Sequence, residues 1–213
     1  MKYVYSQESG RSMIEMLGVL AIIGVLSVGG IAGYSQAMNK FKVTKTTDQI
    51  QTMVTNIRTL FASQKSYTSV STADDDSAGV MYSVGILTDE NCPGGGTACA
   101  TPVNPYDGTI VLGHMGTNNK HFYVSYQGLP ADACVRLATQ SWGDSSSGLI
   151  GVGAYNAATN ITADPTANAG AGKQVNLAKD AATETAGVPM LLGAASTGCG
   201  VSGTTSQVTL FYK

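Results

Sequence analysis

Ser9-Gly10-Arg11-Ser12-Met13-Ile14-Glu15-Met16-Leu17-Gly18-Val19-Leu20-Ala21-Ile22-Ile23-Gly24-Val25-Leu26-Ser27-Val28-Gly29-Gly30-Ile31-Ala32-Gly33 decides how the rest of the chain is read. No charged residue occurs from Met16 to Ala37. Such a run is apolar and long enough to cross a bilayer as a helix, which takes about 20 residues. A secretory signal peptide has a shorter apolar region and a small-x-small cleavage site after it. Here the run passes straight into a polar helical pattern, and a plain membrane anchor is the simpler alternative. Glu15 separates these readings. A carboxylate at the edge of a membrane span is costly, and ionisable residues in that position are functional candidates by default.

A short polar leader ending in Gly10, with an acid five residues later inside the start of an apolar run, resembles the type IV prepilin processing site. The resemblance implies that a prepilin peptidase cuts between Gly10 and Arg11 and usually methylates the new N-terminus. Glu15 then becomes the fifth mature residue. Residue 11 is Arg where that family more often has an aromatic residue or Met, and the ten-residue leader is intermediate in length. The cut creates an α-amino group on Arg11, which the Glu15 carboxylate of a neighbouring subunit can meet in a filament. A buried charge is tolerated when paired and expensive when not, so this pairing sets axial register more than it adds net stability.

Glycines recur in the same segment at Gly18, Gly24, Gly29, Gly30 and Gly33. Each costs roughly 1 kcal/mol against Ala in a helix interior. One account is close backbone approach between membrane helices. The other is a stretch that unwinds when the subunit leaves lipid, as filaments of similar pilins show. Gly24, Gly29, Gly30 and Gly33 mark that expected weak zone.

After Lys40 the pattern turns amphipathic. Val43, Ile50 and Ile57 recur every seven residues, with Met53 and Leu60 as a second row and Val54 and Phe61 as a third. This is the apolar stripe of a helix packed on a globular domain. Lys45, Asp48, Gln51 and Arg58 occupy the opposite face. The break comes near Ser66-Tyr67-Thr68. The expected organisation is a leader over 1–10, a long helix over 11–65 and a head domain over 66–213. Within the helix, 11–36 is the membrane and filament-core half and 37–65 the amphipathic half.

The chain has 213 residues, of which 12% are charged, and a net charge of −2. That charge share is about half the usual value for a soluble domain. The balance offers no basic field to hold nucleic acid. Polar surface comes instead from Ser, Thr, Asn and Gln, which suits an extracellular protein or one that packs against copies of itself. The four cysteines, Cys92, Cys99, Cys134 and Cys199, lack paired CxxC spacing and lie away from His114 and His121. An even count behind an export feature reads as two disulfides formed outside the cytoplasm.

In the head, strands are expected over Thr109–Leu112, His121–Tyr126, Leu149–Tyr155 and Gln207–Tyr212, and a short helix over Ala131–Gln140 after Pro130. Residues 156–187 read as irregular polar surface with a short helix near 178–183. Asn104-Pro-Tyr-Asp-Gly108, a strand, and then Phe122-Tyr-Val-Ser-Tyr126-Gln-Gly-Leu-Pro130-Ala-Asp-Ala-Cys134-Val-Arg-Leu-Ala138 resemble the type IVb pilins of thin conjugative pili, the PilS family. The resemblance spans the N-terminal helix and Pro102 to Trp142. It implies an α+β fold, the α/β roll of type IV pilins, in which a long N-terminal helix packs on an antiparallel sheet. It also implies a disulfide-bounded C-terminal region, here Cys134–Cys199. Three pairings are open to four cysteines. Cys92–Cys99 with Cys134–Cys199 is the expected one, since Cys92-Pro-Gly-Gly-Gly-Thr-Ala-Cys99 closes easily as a local loop.

No catalytic constellation emerges. Asp74-Asp75-Asp76 lacks the spacing and terminal Glu of an EF-hand and reads as a solvated loop. His114 and His121 flank a Gly/Asn turn and read as facing opposite ways. Ser141-Trp142-Gly143-Asp144 has neither nucleophile-elbow glycines nor a nearby His. Gly94-Gly95-Gly96 lacks the Lys of a phosphate loop. The expectation is a non-enzymatic subunit without cofactor or metal: a major pilin in the inner membrane before assembly, head in the periplasm, and in an extracellular fimbrium afterwards. Its expected partners are copies of itself, prepilin peptidase, the assembly platform with its ATPase, and minor pilins. Conjugation, adhesion, aggregation and motility all use this plan. The rival readings are a minor pilin, a type II secretion pseudopilin, and a non-polymerising membrane-anchored binding module.

Overall fold

The structure, a computed structural model, describes residues 13–73, 75–94, 99, 101–157, 173–178, 187–200 and 205–213. The expected cleavage site at Gly10 and Arg11 lies outside them. So do the expected loop at Gly95 and Gly96 and most of the helix expected near 178–183. Helix α1 (Met13–Phe61) runs unbroken for 49 residues. The chain divides at Phe41 and Lys42 into two units.

In the first unit α1 stands without a covering layer. Its apolar side chains are exposed from Met13 to Ala37, Ile14 at 79% and Val25 at 74% among them. The two serine hydroxyls in the stretch are satisfied inside the helix. Ser27 Oγ donates to the Ile23 carbonyl at 2.7 Å and Ser35 Oγ to the Ile31 carbonyl at 3.0 Å. Backbonding of this kind lets a polar side chain sit in an apolar surround without an orphan donor.

The second unit is a five-stranded antiparallel sheet with helices on it. Its remaining elements are α2 (Asp75–Ser83), β1 (Ile110–Met115), β2 (His121–Leu129), α3 (Ala131–Thr139), β3 (Leu149–Tyr155), β4 (Lys173–Leu177), α4 (Leu192–Cys199) and β5 (Ser206–Tyr212). Strand order is β1-β2-β5-β3-β4, so the last strand of the chain lies in the middle of the sheet. All seven of its residues are buried, as a central strand covered on both faces requires.

Register sorts the side chains. Tyr126 pairs with Val208, and Val208 with Ala154; Val124, Leu210 and Val152 form the next row. This face meets the amphipathic half of α1, where Ile50, Met53, Val54, Ile57 and Phe61 are buried. The Tyr126 hydroxyl reaches the Met53 sulfur at 3.7 Å. Phe61, Tyr67, Phe122 and Tyr212 continue the contact as a chain of rings with centroids 4.8–5.6 Å apart. Burying each such ring or aliphatic chain contributes ~1.5–3 kcal/mol.

The other face is built differently. Gly113 stands opposite Tyr123, and a Cβ on Gly113 would come within 2.6 Å of that ring. Gly153 likewise leaves room for the Tyr155 ring, at 2.7 Å from the same construction. Between them Ser125, Gln207 and Thr209 are fully buried and bonded to one another at 2.7–3.1 Å. A closed polar set of this kind avoids the cost of an unpaired buried group.

Several expectations need correction. α2 opens at Asp75, so this stretch is not all loop: Asp76 in its first turn suits the helix dipole, and Ala78 and Met81 give the helix a buried side. The stretch 156–187 contains β4, paired with β3 from Gly151–Leu177 to Tyr155–Lys173. Helix α4 was not expected at all. Leu60 is exposed at 43%, so the second apolar row ends at Met53. Arg58 is half-buried, not solvated: its Nη2 donates to the Lys213 carbonyl at 3.2 Å, and its guanidinium lies 5.4 Å from the Tyr212 ring centre. Its position four residues after Val54, beside the apolar stripe, is the signal that could have shown this.

Candidate assembly surface

The first unit carries the chemistry that the sequence singles out. Glu15 lies in the first turn of α1, where a carboxylate complements the partial positive charge of the helix N-terminus. Among the described residues it makes no ion pair; the one recorded is Lys45 with Glu90 at 3.2 Å. The helix then runs past Gly18, Gly24, Gly29, Gly30 and Gly33 without a break. A Cβ at any of these five would meet nothing within 4 Å. Packing inside this chain therefore does not account for them, although each weakens the helix. One 18-residue window of α1 has mean hydropathy 2.2, and none of it is buried. An uncovered apolar surface this large marks a membrane or protein contact.

The second unit is pinned rather than reactive. Asn104, 3% exposed, organises the turn that follows it. Its Oδ1 accepts from Tyr106 N at 2.8 Å and Gly108 N at 3.2 Å, and its Nδ2 donates to the Gln127 carbonyl at 2.7 Å. Asp107 adopts φ 62°, a conformation Asp tolerates better than most residues. The turn is thereby tied to β2 just where its register shifts between Tyr126 and Leu129. Sequence reading noted this motif but not its role.

Both disulfides are formed. Cys92–Cys99 closes the glycine loop, and Cys134–Cys199 ties α3 to α4. Between those two helices lies an open groove of about 440 Å³, lined by Ala131, Val135, Arg136 and Leu192 among others. It contains no acid–base pair with a nucleophile. Trp142 is buried, its Nε1 donating to the Leu137 carbonyl at 2.7 Å. Asp144 is engaged by Ser146 Oγ at 2.6 Å and Ser147 N at 2.9 Å, and the first of these bonds holds its carboxyl below the usual range. His114 pairs across the strands with Phe122, and His121 with Met115, so alternation puts the two imidazoles on opposite faces. Burial lowers the His121 pKa, helped by Lys213 and Lys120. Among the described residues no group of three His, Cys, Asp or Glu is placed to hold a metal.

A long helix, apolar and uncovered over its first half and packed on an antiparallel sheet over its second, with a disulfide closing the C-terminal region, defines a type IV pilin: a structural subunit, not an enzyme. The family model described as PilS N terminal matches residues 40–186, and the chain belongs to the PilS family. It is 27% identical over 208 residues to the major structural subunit of bundle-forming pilus from Escherichia coli O111:H-, covering 97% of this chain and 95% of that protein. It has the same identity and coverage with the subunit of that name from Escherichia coli O127:H6 (strain E2348/69 / EPEC). Among solved structures, TcpA, a type IV pilin from the Vibrio cholerae El Tor biotype, has a similar fold. The TM-score is 0.53 at 16% identity, over 81% of this chain and 99% of that one.

Proposed function

We propose that this chain is the major subunit of a type IVb pilus, made as a precursor with a leader over 1–10. Prepilin peptidase cuts between Gly10 and Arg11, and the new N-terminus is methylated. The helix over 11–65 holds the subunit in the inner membrane as a single span, with the head over 66–213 in the periplasm. The assembly platform and its ATPase then draw it into an extracellular filament of identical copies, with minor pilins as further partners. The observation that supports this most directly is the uncovered first half of α1, free of charge from Met16 to Ala37, with one acid, Glu15, in its first turn.

The physical argument concerns Glu15. In filament core as in lipid, an unpaired carboxylate costs several kcal/mol, and pairing with the Arg11 amine of a neighbour removes most of that cost. A head-to-tail contact of this kind repeats without closing and so builds a helix of subunits. Gly24, Gly29, Gly30 and Gly33 supply a stretch that unwinds as the helix exchanges lipid for neighbours, since they weaken it and fill no contact within the subunit.

Two variants test the reading. Glu15→Ala should leave a processed membrane protein and reduce sheared filaments by more than about tenfold, the order expected for losing a buried charge partner. Wild-type filament yield from that variant would remove the register argument. Gly10→Ala should keep the leader, seen as an unshifted mass; efficient processing would place the cut elsewhere.

A further inference from the structure

We infer that Tyr34, Lys40 and Phe41 form an interfacial collar that docks on the lipid headgroup layer at the head end of the span and fixes how deep Glu15 sits before assembly. The inference rests on the membrane-anchor reading and adds a binding surface to it. Tyr34 is 67% and Phe41 60% exposed, and both lie beyond Gly33, where the apolar run ends. Ser35, Gln36, Asn39 and Lys40 separate the two rings. A solvated polar segment has no use for two exposed rings, whereas a headgroup layer favours amphipathic aromatics and long cations together.

Spacing supports the same occupant. Tyr34 and Phe41 are seven residues apart, so they share one face of α1, with Lys40 beside Phe41. Tyr34 lies 19 residues after Glu15, or ~28 Å of helix, close to the ~30 Å hydrocarbon thickness of a bilayer. Phe41 lies 26 residues after Glu15, or ~39 Å, close to the ~40–45 Å that includes both headgroup layers. With Glu15 in one headgroup layer, the Tyr34 ring is within the opposite leaflet, and Phe41 and the Lys40 ammonium meet its phosphates. The charge is complementary to lipid phosphate, and the surface continues directly from the span. Lys42, one residue on, has its ammonium 5.3 Å from the Tyr106 ring centre.

The test uses the full chain in phosphatidylethanolamine/phosphatidylglycerol vesicles at high lipid-to-protein ratio, with Tyr34→Trp and Phe41→Trp as separate fluorescent reporters. Trp142 is buried in the head and gives a constant background measured on the unsubstituted chain. Both reporters should be quenched more by headgroup-labelled lipid than by lipid labelled mid-chain, the Phe41→Trp reporter about twofold more and the Tyr34→Trp reporter by a smaller margin. Adding Lys40→Glu should cut the headgroup quenching of the Phe41→Trp reporter by about half in anionic vesicles and less in phosphatidylcholine. Unchanged access of iodide to the Phe41→Trp reporter in chains that float with vesicles would overturn the collar alone. Quenching that appears only at low lipid-to-protein ratio would also overturn it, assigning the surface to a second copy. A chain that fails to float with vesicles would overturn the anchor reading and the collar with it.

Discussion

Asn104 shows how much one side chain can hold. Its amide accepts two backbone N–H groups and donates to a carbonyl of β2, from a buried side chain to half-buried partners. No other residue type offers one donor and one acceptor in this planar arrangement, apart from the longer Gln. Asn104→Ala removes three bonds and leaves a half-buried carbonyl and two half-buried amides without them. Each stranded group costs about 1–3 kcal/mol, partly relieved by water entering the turn. We expect a net loss of ~2–4 kcal/mol in urea unfolding with an unchanged slope. A loss below ~0.5 kcal/mol would mean that the turn is held from elsewhere. Glu15 is the contrasting case. Among the described residues it makes no ion pair, and the role proposed for it, as for the glycines behind it, lies between subunits.

At the scale of elements, what could be read in advance depended on whether local pattern and final packing agree. Helix α1 was legible because its first half is uniformly apolar and its second half carries a stripe at helical spacing; Ile50, Met53, Val54, Ile57 and Phe61 are buried as that stripe requires. β2 and β3 were legible from aromatic and aliphatic runs, and α3 from Pro130 ahead of its start. α4 was not, since Leu192-Gly-Ala-Ala-Ser-Thr-Gly-Cys199 is rich in poor helix formers and is held by packing and the bond to Cys134. β4 was hidden because Gln174 and Asn176 occupy the face that apolar residues fill in the neighbouring strands. Glu15 stands out in the sequence because an acid beside an apolar run is conspicuous, and the structure adds only that it lies in the first turn of α1. The clamp of Arg58 on Tyr212 and Lys213 was not, because it joins residues 155 positions apart. The disulfides divide the same way by loop length. Cys134–Cys199 spans 65 residues and Cys92–Cys99 seven. Chain entropy assigns them about 4 and about 2.5 kcal/mol. We expect the Cys134→Ala/Cys199→Ala variant to lose the larger amount and to open the α3–α4 pair to proteolysis. Cys92→Ala/Cys99→Ala should lose less and leave that pair protected. Equal losses would show that the effect comes from local packing and not from the length of the closed loop.

The head as a whole has an alkaline limit set by its tyrosines. Burial raises Tyr126, Tyr155 and Tyr123 above the ordinary phenol value, and Tyr212 and Tyr106 to about 12. For Tyr212 the Arg58 guanidinium opposes the shift, and for Tyr106 the Asp132 carboxylate adds to it while Arg136 opposes it. In the unfolded chain all five phenols ionise near pH 10. Folding therefore keeps protons that the unfolded chain releases. This contribution to stability is fully present below pH 10 and is lost progressively as pH rises through the folded values. Tyr126 and Tyr212 stand in the buried core between the sheet and α1, so the ionised form is resisted inside that core. Unfolding should thus be cooperative, with tyrosinate absorbance and loss of circular dichroism rising together between pH 10 and about 12. Tyr126→Phe removes one such group together with its weak bond to Met53. It should move the midpoint to higher pH, because a phenyl ring keeps the packing without an ionisable proton. A midpoint unmoved by Tyr126→Phe, or tyrosinate appearing well before structure is lost, would show that the head opens locally and that these rings are not what limits it.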